Sequence, residues 1–172
     1  MNRTIEDLTT RRSIRRYTDK QVSREELDRV LLAGTCAPSG MNRQSAIIVA
    51  VTNSADVAEL SRLNCAVKGR TGDAFYGART VLVVLADAGS PYAVYDGSLV
   101  MGNIMNAAHA IGLGTCWIHR AKEVFETAEG KALLKKWGVE GDYVGVGNCV
   151  IGYPDETPEM KPRKENYIYY AD

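Results

Sequence analysis

Arg11, Arg12, Ser13 and Arg15 place three guanidinium groups and a hydroxyl within five residues. Guanidinium forks match phosphate oxygens in pairs, so this run is a candidate phosphate seat; a solvated basic turn or a nucleic-acid patch is the competing reading. A second segment, Pro38-Ser39-Gly40-Met41-Asn42-Arg43-Gln44, offers a hydroxyl, two carboxamides and, at Gly40, a backbone that a flat ligand can approach closely. Such groups suit the edge of a heterocycle, although Ser and Asn in a turn can equally satisfy their own backbone. Near the C-terminus Lys161-Pro162-Arg163-Lys164 is basic again. Tyr167, Ile168, Tyr169 and Tyr170 beyond it suit a tail that packs on something rather than a disordered one. Gly112-Leu113-Gly114-Thr115 follows a helical pattern and precedes a strand, the reverse of the order a dinucleotide fingerprint needs, and is not read as one. His109 and His119 lack the partners of a triad or a metal site, and no metal is expected. Cys36, Cys65, Cys116 and Cys149 show no CxxC pair and read as reduced, small hydrophobes.

The elements that must position these residues follow from periodicity. Thr4 is expected to cap a short helix carrying Ile5 and Leu8, and Ser23 with Glu26 forms a capping box for a helix carrying Leu27, Val30 and Leu31, ended by Gly34. The runs AIIVAVT at 46–52 and TVLVVLA at 80–86 are continuous and β-branched, which predicts strands buried on both faces at the centre of a sheet. Helices are expected from Ser54 to Val67 and from Tyr92 to Ile111, the second apolar around most of its circumference and so a candidate subunit interface. A strand at 115–118, a polar helix from Ala128 to Trp137 and a strand from Tyr143 to Tyr153 complete a layered α/β or α+β arrangement. With 172 residues and no repeat or linker, a single domain over 1–172 is expected. Twenty-one basic residues balance twenty-one acidic ones, so neither nucleic acid nor a membrane surface is an expected partner. No window reaches the ~20 apolar residues of a membrane span, and the N-terminal stretch has no signal-like apolar run, which points to the cytoplasm.

Taken together, Arg-Arg-Ser-Ile-Arg, then Ala-Pro-Ser-Gly-x-Asn-x-Gln, then Gly-Leu-Gly-Thr-Cys-Trp-Ile, then Val-Gly-Val-Gly-Asn-x-Val-Ile-Gly-Tyr-Pro, then Lys-Pro-Arg-Lys resemble the FMN-dependent nitroreductase family in order and spacing, from about Ile5 to Lys164. The resemblance implies a three-layer α/β/α sandwich of the α+β class with a mostly antiparallel central sheet. It also implies a homodimer, with the tail from about 154 to 172 packing on the partner and FMN bound across the interface. By the match, Arg11, Arg12, Ser13 and Arg15 hold FMN from one subunit, joined by Lys161 and Arg163; Pro38, Ser39, Gly40, Asn42 and Gln44 line the ring from the other, with Gly114 and Thr115 near it. Asn64 and Lys68 resemble a helical pair placed close to the ring, and Arg15 and Lys68 are the expected catalytic cations beside it. The implied activity is hydride transfer from NADH or NADPH to a small organic acceptor, such as a nitroaromatic or quinone, in a ping-pong cycle. Dehalogenation, azoline oxidation or flavin binding without catalysis are the alternatives the same scaffold allows. Two departures stand out: Ser45-Ala46 where the family often has Pro and an aromatic, and Ala78-Arg79 where it has Ala-Pro.

Overall fold

The computed structural model describes residues 2–171, so the outermost residues of the expected 1–172 domain, Met1 and Asp172, lie outside the described residues. The elements run α1 (Arg3–Thr10), α2 (Arg24–Thr35), a 3-10 turn (Gly40–Asn42), β1 (Ala46–Val51), α3 (Ser54–Ala66), β2 (Thr80–Asp87), α4 (Ala93–Ala110), β3 (Gly114–Ile118), α5 (Ala121–Glu126), α6 (Ala128–Lys136) and β4 (Tyr143–Gly152). The strands form one four-stranded antiparallel sheet in the order β1-β2-β4-β3. Helices α2 and α4 cover one face over Leu82, Val84, Met101, Ile104, Cys149 and Ile151. Helices α3, α5 and α6 cover the other over Leu60, Val81, Val83, Leu85, Val124 and Val150. The result is the expected α/β/α layering of an α+β fold.

The continuous apolar run of β2 has a plain cause. Alternate residues point to opposite faces, so Val81, Val83 and Leu85 feed one core while Leu82, Val84 and Ala86 feed the other. The similar run in β1 sits elsewhere than expected: β1 is an edge strand, only partly covered along Ala46–Val49, because periodicity reports apolar faces and not lateral position. Two cap assignments also change. Asn2, not Thr4, caps α1 by accepting the Thr4 N–H at 2.9 Å. Gly34 lies inside α2 rather than ending it, and the reason is packing, since a Cβ there would stand 2.8 Å from Ile48 and 2.9 Å from Ile104. The capping box of Ser23 and Glu26 forms as expected. Helix α5 was not anticipated, its six residues being too few to show a period.

Helix α4 buries Gly97, Val100, Met101, Ile104, Met105 and Ala108, yet Val94, Tyr95 and Leu99 remain exposed. That apolar face has no cover within the described protomer. Next to α4 the sheet carries an irregularity: Val84 pairs with Gly147 and Leu85 with Gly145, which leaves Val146 as an extra residue that packs on Gly97. On the opposite face Gly145 lets α5 lie directly on the strand, because a Cβ there would come within 2.3 Å of the Ala121 carbonyl carbon. Gly145→Ala is therefore expected to push α5 off the sheet and to destabilise by about 2 kcal/mol or more, within the usual range for overpacking. Urea denaturation measures this, and a change within about 0.5 kcal/mol would contradict the close contact.

Candidate functional site

Residues 13–18 do not form a helix or a full strand; they thread along the ends of β3 and β4. Ser13 pairs with Thr115 in parallel and Tyr17 with Pro154 antiparallel. The Ile14 N–H donates to the Thr115 carbonyl at 2.9 Å, Thr18 N–H to Tyr153 at 3.0 Å, and Asp155 N–H to Arg16 at 3.0 Å. Gly114 permits this seat, since a Cβ would lie 2.7 Å from Ile14. Threading delivers Arg11, Arg12 and Ser13 to the start of β3 and brings the segment after β4 alongside them.

Two cavities meet at Arg11 and Arg12. One, of about 590 Å³, is lined by Leu8, Thr9, Arg11, Arg12, Ser13, Met160 and Arg163. It unites the two basic clusters that the sequence holds far apart, with Arg163 brought in and Lys161 next to it, where the Lys161 carbonyl accepts from Arg163 at 3.4 Å. The other, of about 280 Å³, lies toward Ile14, His109, Gly114, Thr115, Glu156 and Thr157. Arg12 spends part of its donor capacity on the Thr9 and Arg11 carbonyls. Arg11 Nη1 and Thr115 Oγ1, by contrast, are buried with no hydrogen-bond partner. A buried guanidinium nitrogen without an acceptor is costly, and an anion placed in this cavity removes the cost.

Polar groups that sequence reasoning passed over support the seat. The Thr10 hydroxyl donates to the Glu6 carbonyl at 2.7 Å and meets His109 Nε2 at 2.9 Å, so the imidazole of α4 steadies the end of α1 just before Arg11. Burial, aided by Arg11 and Arg12 and opposed by Asp7, holds His109 below its ordinary pKa. Glu156 Oε1 accepts the Arg15 N–H at 2.5 Å. His109 was visible in the sequence as a polar residue on an apolar helix, but nothing there named its partner; Glu156 carried no signal at all.

The loop at 38–44 lies elsewhere in the protomer. Pro38, Ser39 and Gln44 line a cavity of about 380 Å³ with Leu31, Ile48, Asp96 and Val100. Met41, Asn42 and Gln44 all have positive φ, a strained path that needs outside support. Asp96, buried in the first turn of α4, supplies it. Its Oδ1 accepts the Gly40 N–H at 2.8 Å and its Oδ2 the Ser45 hydroxyl at 2.6 Å. Ser39 Oγ accepts the Gln44 N–H at 3.0 Å, Gln44 Nε2 reaches Asn42 at 3.3 Å, and Gly40 rests on the Tyr92 ring, where a Cβ would lie at 2.4 Å. A lone carboxylate in the apolar run of α4 was the available sign of Asp96.

Asn64 and Lys68 belong to the other face of the sheet. Asn64 is buried and donates to the His119 carbonyl at 2.9 Å, tying α3 to the end of β3. Lys68 is exposed just beyond α3. Within the protomer neither lies in the cavities around Arg11.

Comparison with known proteins bears on the family and the fold. The sequence profile of the Nitroreductase family matches residues 8–69 and 58–153. The FMN reductase [NAD(P)H] of Bacillus subtilis is 30% identical over 95% of this chain and 70% of its own length. The NADPH-flavin oxidoreductase of Vibrio harveyi is 29% identical over 98% of this chain and 72% of its own length. Among solved structures, a nitroreductase with bound FMN from Bacteroides fragilis superposes with a TM-score of 0.91 at 27% identity, covering 100% of both chains.

Ser45 stands where the resemblance leads one to expect proline, and its hydroxyl is what satisfies the second oxygen of Asp96. Ser45→Ala leaves that oxygen buried without its donor, at an expected cost of about 1–3 kcal/mol. Guanidinium unfolding together with limited proteolysis at 38–44 checks it: stability should fall and cleavage should rise. Unchanged values for both would show that the Gly40 contact alone holds the loop.

Proposed function

The chain belongs to the nitroreductase family, and on that premise we propose that it is an FMN-dependent oxidoreductase that passes hydride from NADH or NADPH to an organic acceptor such as a nitroaromatic or quinone. The observation that carries this reading is the pair of buried, unpartnered donors, Arg11 Nη1 and Thr115 Oγ1, at two adjoining cavities that share Arg11 and Arg12, one lined by Thr115 and the other by Ser13 and Arg163. A phosphate with its several acceptor oxygens fits that donor set. Arg11, Arg12, Ser13, Lys161 and Arg163 would hold the phosphate end, and Gly114 and Thr115, which line the adjoining cavity, would contact the rest of the group. When bound there, FMN would supply two-electron redox chemistry. The protein binds it, orients it and adjusts its electrostatics. Arg15 and Lys68 are exposed and form no ion pair among the described residues, which leaves both free to act as the cations beside the ring.

The same reading makes the protein a homodimer, with Pro38, Ser39, Gly40, Asn42 and Gln44 reaching the partner's cofactor. Three features support it: the exposed Val94, Tyr95 and Leu99 of α4; the unpaired edge of β1; and the tail, where Tyr167, Ile168, Tyr169 and Tyr170 are each at least 68% exposed. A tail of that composition suits packing on a second copy. No helix among the described residues is long and apolar enough to cross a membrane. The cysteines are free, as they would be in the reducing cytoplasm.

Purified protein is expected to release FMN on denaturation at about one per chain. Arg11→Ala is expected to weaken FMN binding about 10- to 100-fold through loss of charge-assisted contacts, whereas Arg15→Ala retains FMN but is reduced more slowly by NAD(P)H. Flavin fluorescence titration and stopped-flow reduction separate the two; release of FAD, or no binding of added FMN, would overturn the assignment. Sedimentation is expected to give a dimer, the interface exceeding ~2,000 Å² as in other obligate pairs. A flavin-loaded monomer at micromolar concentration would contradict it.

A further inference from the structure

Glu156 is the one carboxylate among the residues lining the two cavities that meet at Arg11 and Arg12. It leaves the end of β4 through Pro154 and Asp155 and places Oε1 at 2.5 Å from the backbone nitrogen of Arg15. A backbone N–H needs only a neutral acceptor, such as a carbonyl or a carboxamide, to be satisfied. A negative charge in a seat built to bind an anion works against the arginines around it, so its presence calls for a role beyond satisfying one donor. The field of this pair already reaches the interior behind it. Burial foremost pushes the Tyr17 phenol and the Cys116 thiol above their usual values, and on both groups Glu156 pushes further while Arg15 pulls back.

We propose that Glu156 is a charge-tuning and positioning residue for the bound cofactor: it clasps the backbone of Arg15 and offsets the cationic field, which sets how strongly the site prefers reduced over oxidised FMN. The proposal rests on the FMN reading given above. Uptake of two electrons and one proton leaves the ring system with one more negative charge than before. Arg15 favours that form and the Glu156 carboxylate disfavours it. A poise between the two lets the site accept hydride from a nicotinamide and still release it to an acceptor; arginines alone would hold the reduced form too firmly.

Glu156→Gln tests this with little risk to the fold, because the carboxamide keeps an oxygen for the Arg15 N–H and removes only the charge. Glu156→Ala removes both. With FMN-loaded protein, the midpoint potential is measured against a reference dye, and FMN dissociation constants are measured for both redox states. In Glu156→Gln the ratio of affinities for reduced over oxidised FMN is expected to rise about 3- to 10-fold, equivalent to a potential about 15 to 30 mV higher. Glu156→Ala is expected to show the same rise together with weaker retention of FMN in both states. An unaltered potential in Glu156→Gln, or FMN loss in Glu156→Ala that is equal in both states with no change in potential, would reduce Glu156 to a clasp and overturn the inference. Failure of the unsubstituted protein to bind FMN would appear before any variant is made and would overturn the FMN reading itself, and this inference with it.

Discussion

The backbone pairing of residues 13–18 with the ends of β3 and β4 is the constraint on which the site depends. It uses main-chain hydrogen bonds, from Ile14 to Thr115, Thr18 to Tyr153 and Asp155 to Arg16, which of all substitutions only proline at a donor position removes directly. Because the pairing joins the segment after α1 to both the start of β3 and the exit of β4, it sets the position of Arg11, Arg12 and Ser13 and of the chain that leads to Arg163. The Tyr17 hydroxyl donates back to the Ile14 carbonyl at 2.6 Å and closes the segment on itself. Two basic clusters separated by most of the chain thus meet without any helix or strand of their own.

Concentrating arginines in this way is unfavourable unless something compensates. Like charges repel, and a guanidinium nitrogen withdrawn from water without an acceptor loses its hydration. The molecule meets part of this internally: Arg12 turns to the carbonyls of Thr9 and Arg11, and Arg16 pairs with Asp155. Arg11 Nη1 and Thr115 Oγ1 stay unmet. Arg12 and Arg16 thus find acceptors within the chain, whereas the inner donors of Arg11 and Thr115 do not.

The loop that bears Ser39, Gly40 and Asn42 follows a different logic. Its successive positive φ values would not persist in a free turn, and they are held by one buried carboxylate, Asp96, and one aromatic ring, Tyr92, both at the start of α4. Helix α4 therefore has two duties at once, its inner face filling the core and its first turn pinning the loop, while its outer face leaves Val94, Tyr95 and Leu99 exposed. The bulge at Val146, which packs on Gly97, seats the same helix against the sheet.

The elements that were legible in the sequence are those whose cause is local. The alternation and β-branching of 80–86 specify β2, the capping box of Ser23 and Glu26 specifies the start of α2, and the apolar circumference of 92–111 specifies α4, because each depends on spacing within one segment. The basic residues at 11–15 were legible as a candidate phosphate seat from their chemistry, with a solvated turn as the competing reading, and their joining with 161–163 was implied only by the family resemblance. What remained hidden depends on contacts between distant segments. The edge position of β1, the packing role of Gly34, and the partners of His109, Asp96 and Glu156 are all set by which surfaces meet after folding. Periodicity records that a face is apolar or a residue polar, but it carries no address for the partner. Only the tertiary structure could decide that Glu156 faces Arg15 and that Asn64 turns inward to His119, because those choices are made by the pairing of chain ends and not by the residues themselves.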